Sequence, residues 1–438
     1  MTDQPSAQRD PAALAAARSA LPHVERWLAY RAWRLQVPGV QWAVWFDGAV
    51  QASGAIGVAD LDTAAPLTIE HRFRIASHSK TFTATAVLAL VEQGRMRLDA
   101  ALSEHLPELA DAPSGIGGVT VRELLEHGGG VLRDGLDSDY WQLGRPFPDE
   151  DELLSMVRDD GLKSGPGADF AYSNLGYSLL GAAIERVCGT PYRDAVRELV
   201  VDPLGLTRTT ADLGPDEPVP SASGHSGLHT GRTRHRIPSP GTGAMAPATG
   251  FASTAEDVVR FLAALRVGSG ELLGDGSKRL QQRRLRETGP DADRHYGLGL
   301  IVETVAGRRV IGHSGGFPGQ ITRSILDPED GIAISVLTNA VDGPAAELAS
   351  GALAILDAAL ERPARMKLDR RPARARRHDP VRGPLREPVG RPRRGAARRP
   401  AAGAVAHGTR SARRARRART RRRLHPADRL GQRVRRGR

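Results

Sequence analysis

The sequence predicts an α+β domain: one antiparallel sheet, flanked by N- and C-terminal helices, with a mostly helical region inserted into it. Three observations predict this. A helical stretch and a β-hairpin open the chain. A second hairpin and a helix close its globular part. Between them lies a middle that reads as helices and loops. Strands from both ends of a chain can share one sheet, with the middle inserted between them.

Each element has a local reason. Residues 10–35 are rich in Ala, Leu and Arg, good helix formers, and Val37-Pro38-Gly39 breaks the pattern. Residues 41–46, Gln-Trp-Ala-Val-Trp-Phe, have strand composition. Asp47-Gly48 is a hairpin turn signal, and residues 50–58 return as the second strand. Residues 78–93 read as a mostly buried helix carrying Phe82, Ala86, Leu88, Leu90 and Val91, closed by Gly94. Residues 120–126, 150–158 and 175–187 read as further helices, the last ending at Gly189. The stretch 212–250, dense in Pro, Gly and Ser, reads as loop. Residues 253–267 read as a helix with Ser253 or Thr254 as cap and Glu256 close behind. Residues 309–313, 321–326 and 332–337 read as strands, with Asp330-Gly331 turning the last two into a hairpin, and residues 345–360 as the closing helix.

Charge divides the chain in two. Residues 363–438 hold 28 Lys+Arg against 4 Asp+Glu, and residues 1–362 hold 34 against 46. The body is an acidic globular protein. The tail is Arg, Ala, Pro and Gly without apolar periodicity, a composition that cannot bury enough surface to fold alone. Three readings of it stand: an inert disordered extension, a GC-rich gene read out of frame, or a basic arm for nucleic acid or anionic membrane. Cys188 is the single cysteine, which excludes an intrachain disulfide and a multi-cysteine metal site. The first residues show no apolar signal segment, and no apolar run is long enough to span a bilayer. A cytoplasmic protein is expected.

The chemistry centres on Ser77-His-Ser-Lys80. The chain has four lysines, and one of them follows a serine by three residues at the start of a helix. Ser-x-x-Lys pairs a nucleophile with a base. Residues three apart share a helix face, and the helix N-terminus carries positive potential that favours a neutral amine and an oxyanion. The alternative is a capping serine followed by a surface lysine. In Tyr172-Ser173-Asn174, a tyrosine can carry a proton to a leaving group and an asparagine can hold substrate or lysine; the alternative is a core tyrosine and a capping asparagine. Gly312-His313-Ser314-Gly315-Gly316 reads as the end of a strand running into a glycine-rich turn, where a substrate backbone can approach closely. The same string matches the Gly-x-Ser-x-Gly elbow of α/β-hydrolases, and His127-Gly-Gly-Gly130 resembles their oxyanion loop. That rival reading needs a helix after the strand and a histidine after the serine. A strand follows instead, and the later histidines, His378, His407 and His425, all fall in the tail.

Taken in chain order, Ser77-x-x-Lys80, Tyr172-x-Asn174 and His313-Ser314-Gly315 resemble the serine β-lactamase and penicillin-binding-protein-like family, closest to its class C-like esterases and D-amino-acid peptidases. The resemblance extends over roughly residues 20–360, and includes Val119-Thr-Val-Arg-Glu-Leu-Leu-Glu-His127, Pro203-Leu-Gly-Leu, Tyr296-Gly-Leu-Gly and Val336-Leu-Thr-Asn339. It implies a β-lactamase/transpeptidase-like fold and a serine hydrolase of small ester or amide substrates, working without metal or organic cofactor. Ser77 would be the nucleophile and Lys80 with Tyr172 the proton carriers. The backbone N–H groups of Ser77 and Gly316 would hold the oxyanion, and Asn174, His313, Ser314 and Gly315 would line the substrate. Two departures stand out. The family often has His-Thr-Ser-Gly at 127–130, and its β-lactamases have Lys-Thr-Gly at 313–315. Without that lysine, efficient β-lactam hydrolysis is not expected, because His313 carries charge only below about pH 6.5. A non-catalytic penicillin-binding-like sensor is the alternative from another class, and nucleic-acid binding would rest on the tail alone.

Overall fold

The computed structural model describes residues 10–366, apart from 160, 168, 215–218, 229–232 and 290–292. The basic tail expected from Pro363 lies, after Met366, outside the described residues. Nine strands form one sheet: β1 (Gly39–Phe46), β2 (Ala49–Asp60), β3 (Ala65–Pro66), β4 (Arg286–Glu287), β5 (His295–Tyr296), β6 (Ile301–Val305), β7 (Arg308–Phe317), β8 (Gln320–Asp327) and β9 (Ile332–Thr338). Their order is β3-β2-β1-β9-β8-β7-β6-β5-β4, with every neighbouring pair antiparallel. β1 pairs with β9, Val40 opposite Thr338 and Trp45 opposite Ala333, so the opening and closing hairpins share one sheet as expected.

Nine α-helices accompany the sheet among the described residues: α1 (Pro11–Arg34), α2 (Ser79–Glu92), α3 (Val121–Leu125), α4 (Glu150–Arg158), α5 (Asn174–Cys188), α6 (Tyr192–Val196), α7 (Ala255–Ala264), α8 (Asp275–Gln281) and α9 (Ala345–Met366). Asp10 caps α1 by accepting from Ala12 N at 3.0 Å, with proline at the first helical position. α1 and α9 cover one sheet face, where Val24 and Leu28 meet Val40, Val44, Ile334, Leu348 and Leu353. The inserted helices cover the other face through Ala43, Ile311, Phe317, Leu326 and Leu337. Covering both faces explains why β9 is apolar at consecutive positions rather than alternating. α2 is buried almost all round, with Phe82 stacked on Phe261 at 3.8 Å between ring centroids. It is the central helix of the insert.

Two expectations change. Ser77 does not cap the helix. It lies in a 3-10 turn, Ala76–His78, ahead of α2, and the first turn of α2 has no side-chain cap. The strand expected at 309–313 does not end in a glycine-rich turn. β7 runs on through Ser314, Gly315 and Gly316 to Phe317, paired residue by residue with β8. The turn comes later, at Pro318-Gly319, where Gly319 takes φ +86°. The short strands β4 to β6 and helices α6 and α8 are additions to the expected pattern. They are short, and packing rather than composition defines them. Among the described residues, no helix is long and apolar enough to cross a membrane.

Candidate active site

Ser77 sits where strand Phe73–Arg74 turns into α2. That strand pairs with Ala252–Ser253, and Ile75 N–H donates to Phe251 O at 2.9 Å. Ala76 then takes φ +49°, a left-handed conformation that costs a non-glycine residue about 1–2 kcal/mol. The surroundings hold it there. Ser79 Oγ donates to Ala76 O at 2.5 Å and accepts from Phe251 N at 3.0 Å. The turn leaves Ser77 part-exposed while Ala76, His78, Ser79 and Lys80 are buried. A reachable hydroxyl on a rigid, buried base is the outcome.

Lys80 is 0% exposed, and its Nζ has three polar neighbours: Asn174 Oδ1 at 2.6 Å, Ala248 O at 2.8 Å and Ser77 Oγ at 3.3 Å. Burial pushes the amine well below the usual lysine range; the carboxylate of Asp134 opposes that and Arg133 assists it. A neutral amine has two N–H donors and one lone pair. The two closest partners are acceptors only and take the two N–H groups. The lone pair is left for the Ser77 hydroxyl.

Tyr172 and Asn174 come from the segment that starts α5. Ser173, not Asn174, caps that helix, its Oγ accepting from Gly176 N at 2.8 Å and donating to Leu132 O at 2.7 Å. The Asn174 amide is therefore free for other work. Its Oδ1 faces Lys80, and its Nδ2 donates to Asp134 Oδ1 at 2.6 Å. The Tyr172 hydroxyl lies beside Ser77, and the Lys80 amine lies 4.8 Å from the Tyr172 ring centre. Burial holds that hydroxyl above the ordinary tyrosine range, with the Ser77 contact and Arg133 offsetting part of the rise. It stays a neutral O–H at working pH. The loop 127–130 buttresses this segment. Ser173 N–H donates to His127 Nδ1 at 3.1 Å, Ala171 N–H donates to His127 O at 2.8 Å, and the His127 ring lies 4.3 Å from that of Tyr172.

The fourth wall is β7. Its pairing with β6 stops at Gly312, so from His313 to Phe317 one edge of β7 has no strand partner among the described residues. Gly316, on that stretch, is exposed. Side chains alternate along the strand. His313 and Gly315 face the Ser77 turn, whereas Ser314 lies on the opposite face, across from Arg323, and its hydroxyl makes no hydrogen bond among the described residues. His313 Nδ1–H donates to Ser314 O at 2.7 Å, and its Nε2 accepts from Tyr296 O–H at 3.0 Å. Both nitrogens are thus satisfied in the neutral ring. Burial, then the neighbouring His78 and Lys80, push His313 well below the usual histidine range. His78 beside it is pushed down to about 3, chiefly by burial. Neither ring offers a cation near neutral pH.

Gly315 lets β7 pass this close. A Cβ there would lie 2.2 Å from Ile75 O and 2.4 Å from Thr322 Oγ1. Gly315→Ala is expected to push β7 off the Ser77 turn and to lower kcat/KM by at least about tenfold, since misplacement by an ångström is worth up to ~100-fold. Steady-state kinetics with a thermal melt check this.

Three contributors went unread in the sequence: Asp134, the Ala248 carbonyl in the π-helical turn Ala246–Gly250, and Tyr296. The Tyr296-Gly-Leu-Gly string offered the one available signal. Gly299 there takes φ +74°, and a Cβ on it would lie 2.4 Å from Ala84 Cβ and 2.8 Å from Lys80 O. The elbow reading of Ser314 does not fit, because an elbow needs a strand–turn–helix and Ser314 lies inside an antiparallel ladder.

Comparison with known proteins agrees with this architecture. A family model described as Beta-lactamase matches residues 24–360. Esterase EstB of Burkholderia gladioli is 33% identical over 326 aligned residues, covering 65% of this chain and 81% of the esterase. The octameric penicillin-binding protein homologue from Pyrococcus abyssi matches with a TM-score of 0.68 at 25% identity, over 77% of each chain. A D-stereospecific amidohydrolase from Streptomyces sp. matches with a TM-score of 0.63 at 25% identity, over 78% of this chain and 97% of that one. The chain belongs to the beta-lactamase family of serine hydrolases.

Proposed function

We propose that this protein hydrolyses uncharged ester or amide bonds through an acyl-enzyme on Ser77. The observation that carries the reading is the buried Lys80 amine, whose two N–H groups are taken by Asn174 Oδ1 and Ala248 O while Ser77 Oγ lies 3.3 Å away. In this mechanism Ser77 Oγ attacks the carbonyl carbon as its proton passes to Lys80 Nζ. The carbonyl π pair moves to oxygen, and the N–H groups of Ser77 and Gly316 stabilise the oxyanion. Collapse expels the alcohol or amine, which receives the proton from Lys80 through the Tyr172 hydroxyl. Water attacks the resulting ester by the same route, releasing the acid and restoring Ser77. No step needs a metal or organic cofactor.

The neutral His313 argues for esters and D-amino-acid amides over β-lactams, whose carboxylate wants a fixed cation. The named activities of the esterase and amidohydrolase relatives support the same order. A panel of p-nitrophenyl esters, D-alanine amide and nitrocefin tests it. Ester or amide turnover is expected, abolished in Ser77→Ala and lowered ~10²–10⁴-fold in Lys80→Ala, with nitrocefin at least about 100-fold poorer in kcat/KM. A folded protein that turns over none of them would leave the sensor reading in its place.

A further inference from the structure

Behind Lys80 and Asn174 lies a carboxylate that the reaction scheme does not use. Asp134 is largely buried, at 15% side-chain exposure. Its Oδ1 accepts from Asn174 Nδ2 at 2.6 Å and from Trp141 Nε1 at 2.8 Å. Its Oδ2 lies 3.2 Å from Nε of Arg133, whose side chain is 70% exposed. The backbone ties the same pair together, with Asn174 N–H donating to Arg133 O at 2.8 Å.

The geometry points to Asp134 as a positioning residue: its carboxylate fixes the Asn174 amide with the oxygen toward Lys80, and so keeps the Lys80 lone pair on Ser77. Donors and acceptors decide the orientation, given the reading of Lys80 as base. An asparagine amide can face Lys80 with either end. With Oδ1 inward, it takes an N–H from Lys80. With Nδ2 inward, it would donate, and the one lone pair of the amine would turn from Ser77 to Asn174. A carboxylate accepts and cannot donate, so beside Asp134 only the first orientation is satisfied on both sides.

Asp134 also sets the local charge. The groups facing Lys80 are Tyr172 and Tyr177, which burial keeps protonated, His127 and His313, which burial keeps neutral, and the pair Asp134 and Arg133. Only the last two carry charge, and they act on Lys80 with opposite sign. The acid limb of kcat/KM reports protonation of the free enzyme's base. Removing the negative charge of Asp134 makes Lys80 harder to protonate, so that limb moves to lower pH. Removing Arg133 does the reverse, by less, because Arg133 is screened by solvent.

The test uses the full chain and a p-nitrophenyl ester the wild type hydrolyses, with pH profiles and melts for each variant. In Asp134→Asn, the Trp141 donor holds the new amide oxygen toward Asn174. The orientation survives without the charge, so kcat at the plateau is expected within about threefold of wild type and the acid limb moves down. In Arg133→Gln the limb moves up. Asp134→Ala is expected to lower kcat about 10- to 100-fold with KM within twofold. The inference is overturned if Asp134→Asn leaves the acid limb in place or moves it up, or if a folded Asp134→Ala keeps kcat. A residue that merely stabilised the loop would lower the melts and shift neither limb. Ser77→Ala and Lys80→Ala run alongside: near-wild-type activity in Lys80→Ala defeats the base assignment itself, whereas a ~10²–10⁴-fold loss there with an unmoved limb in Asp134→Asn defeats only the role of Asp134.

Discussion

Lys80→Arg is expected to lose about as much activity as Lys80→Ala, each falling ~10²–10⁴-fold in kcat/KM, the range that general acid–base catalysis contributes. Arginine keeps a positive charge and a similar reach, but it cannot release its proton at working pH. Wild-type Lys80 is buried and pushed toward the neutral amine, with its lone pair available to Ser77. A guanidinium has no such lone pair. Because the side chain fills a fully buried site, Lys80→Met serves as the packing control, and each variant is melted. An arginine variant retaining most activity would make Lys80 a charge anchor rather than a base. Tyr172 would not inherit the role as a phenolate, because burial holds its hydroxyl protonated.

Arg74→Ala should cost about 3–5 kcal/mol of stability, the range for breaking a buried ion pair from one side. Arg74 is 1% exposed and stands three residues before Ser77. Its guanidinium pairs with Asp212 and donates to Gly250 O at 2.6 Å and Pro240 O at 2.6 Å. It also lies 5.0 Å from the Phe317 ring centre at the end of β7. One side chain thus ties the 212–250 segment, which supplies Ala248 O to Lys80, to the strand that enters the Ser77 turn. Truncation leaves the Asp212 carboxylate without the Arg74 cation, held by the Thr242 and Leu213 N–H groups, and removes the donor from the Gly250 and Pro240 carbonyls. Denaturant titration should show the loss in the midpoint. A loss below about 1 kcal/mol would mean that the segment is held elsewhere.

Local rules made most of this fold legible. The Asp47-Gly48 hairpin, the Gly94 and Gly189 stops and the helix spanning Ala345 depend on neighbours within a few residues, and they appear where expected. Ser77, Lys80, Tyr172, Asn174, His313 and Gly315 are brought to one place, although 238 positions separate Ser77 from Gly315. What stayed hidden was relational. Asp134 is an ordinary loop acid until α5 carries Asn174 to it. A backbone carbonyl such as that of Ala248 carries no signature at all. Ser314 shows the reverse: the string around it reads as chemistry, but strand alternation turns its side chain away from Ser77. The start of α2 was misread because Ala76 adopts a left-handed conformation that no local propensity predicts and that only the surrounding contacts hold.

The most direct test of the account is to trap the acyl-enzyme. A fluorophosphonate, or an ester whose acyl-enzyme is slow to hydrolyse, is added to the wild-type protein, and the labelled peptide is located by mass spectrometry. A single adduct is expected on Ser77, absent from Ser77→Ala and slow to form in Lys80→Ala. An adduct on Ser314, or undiminished labelling of Ser77→Ala, would contradict it.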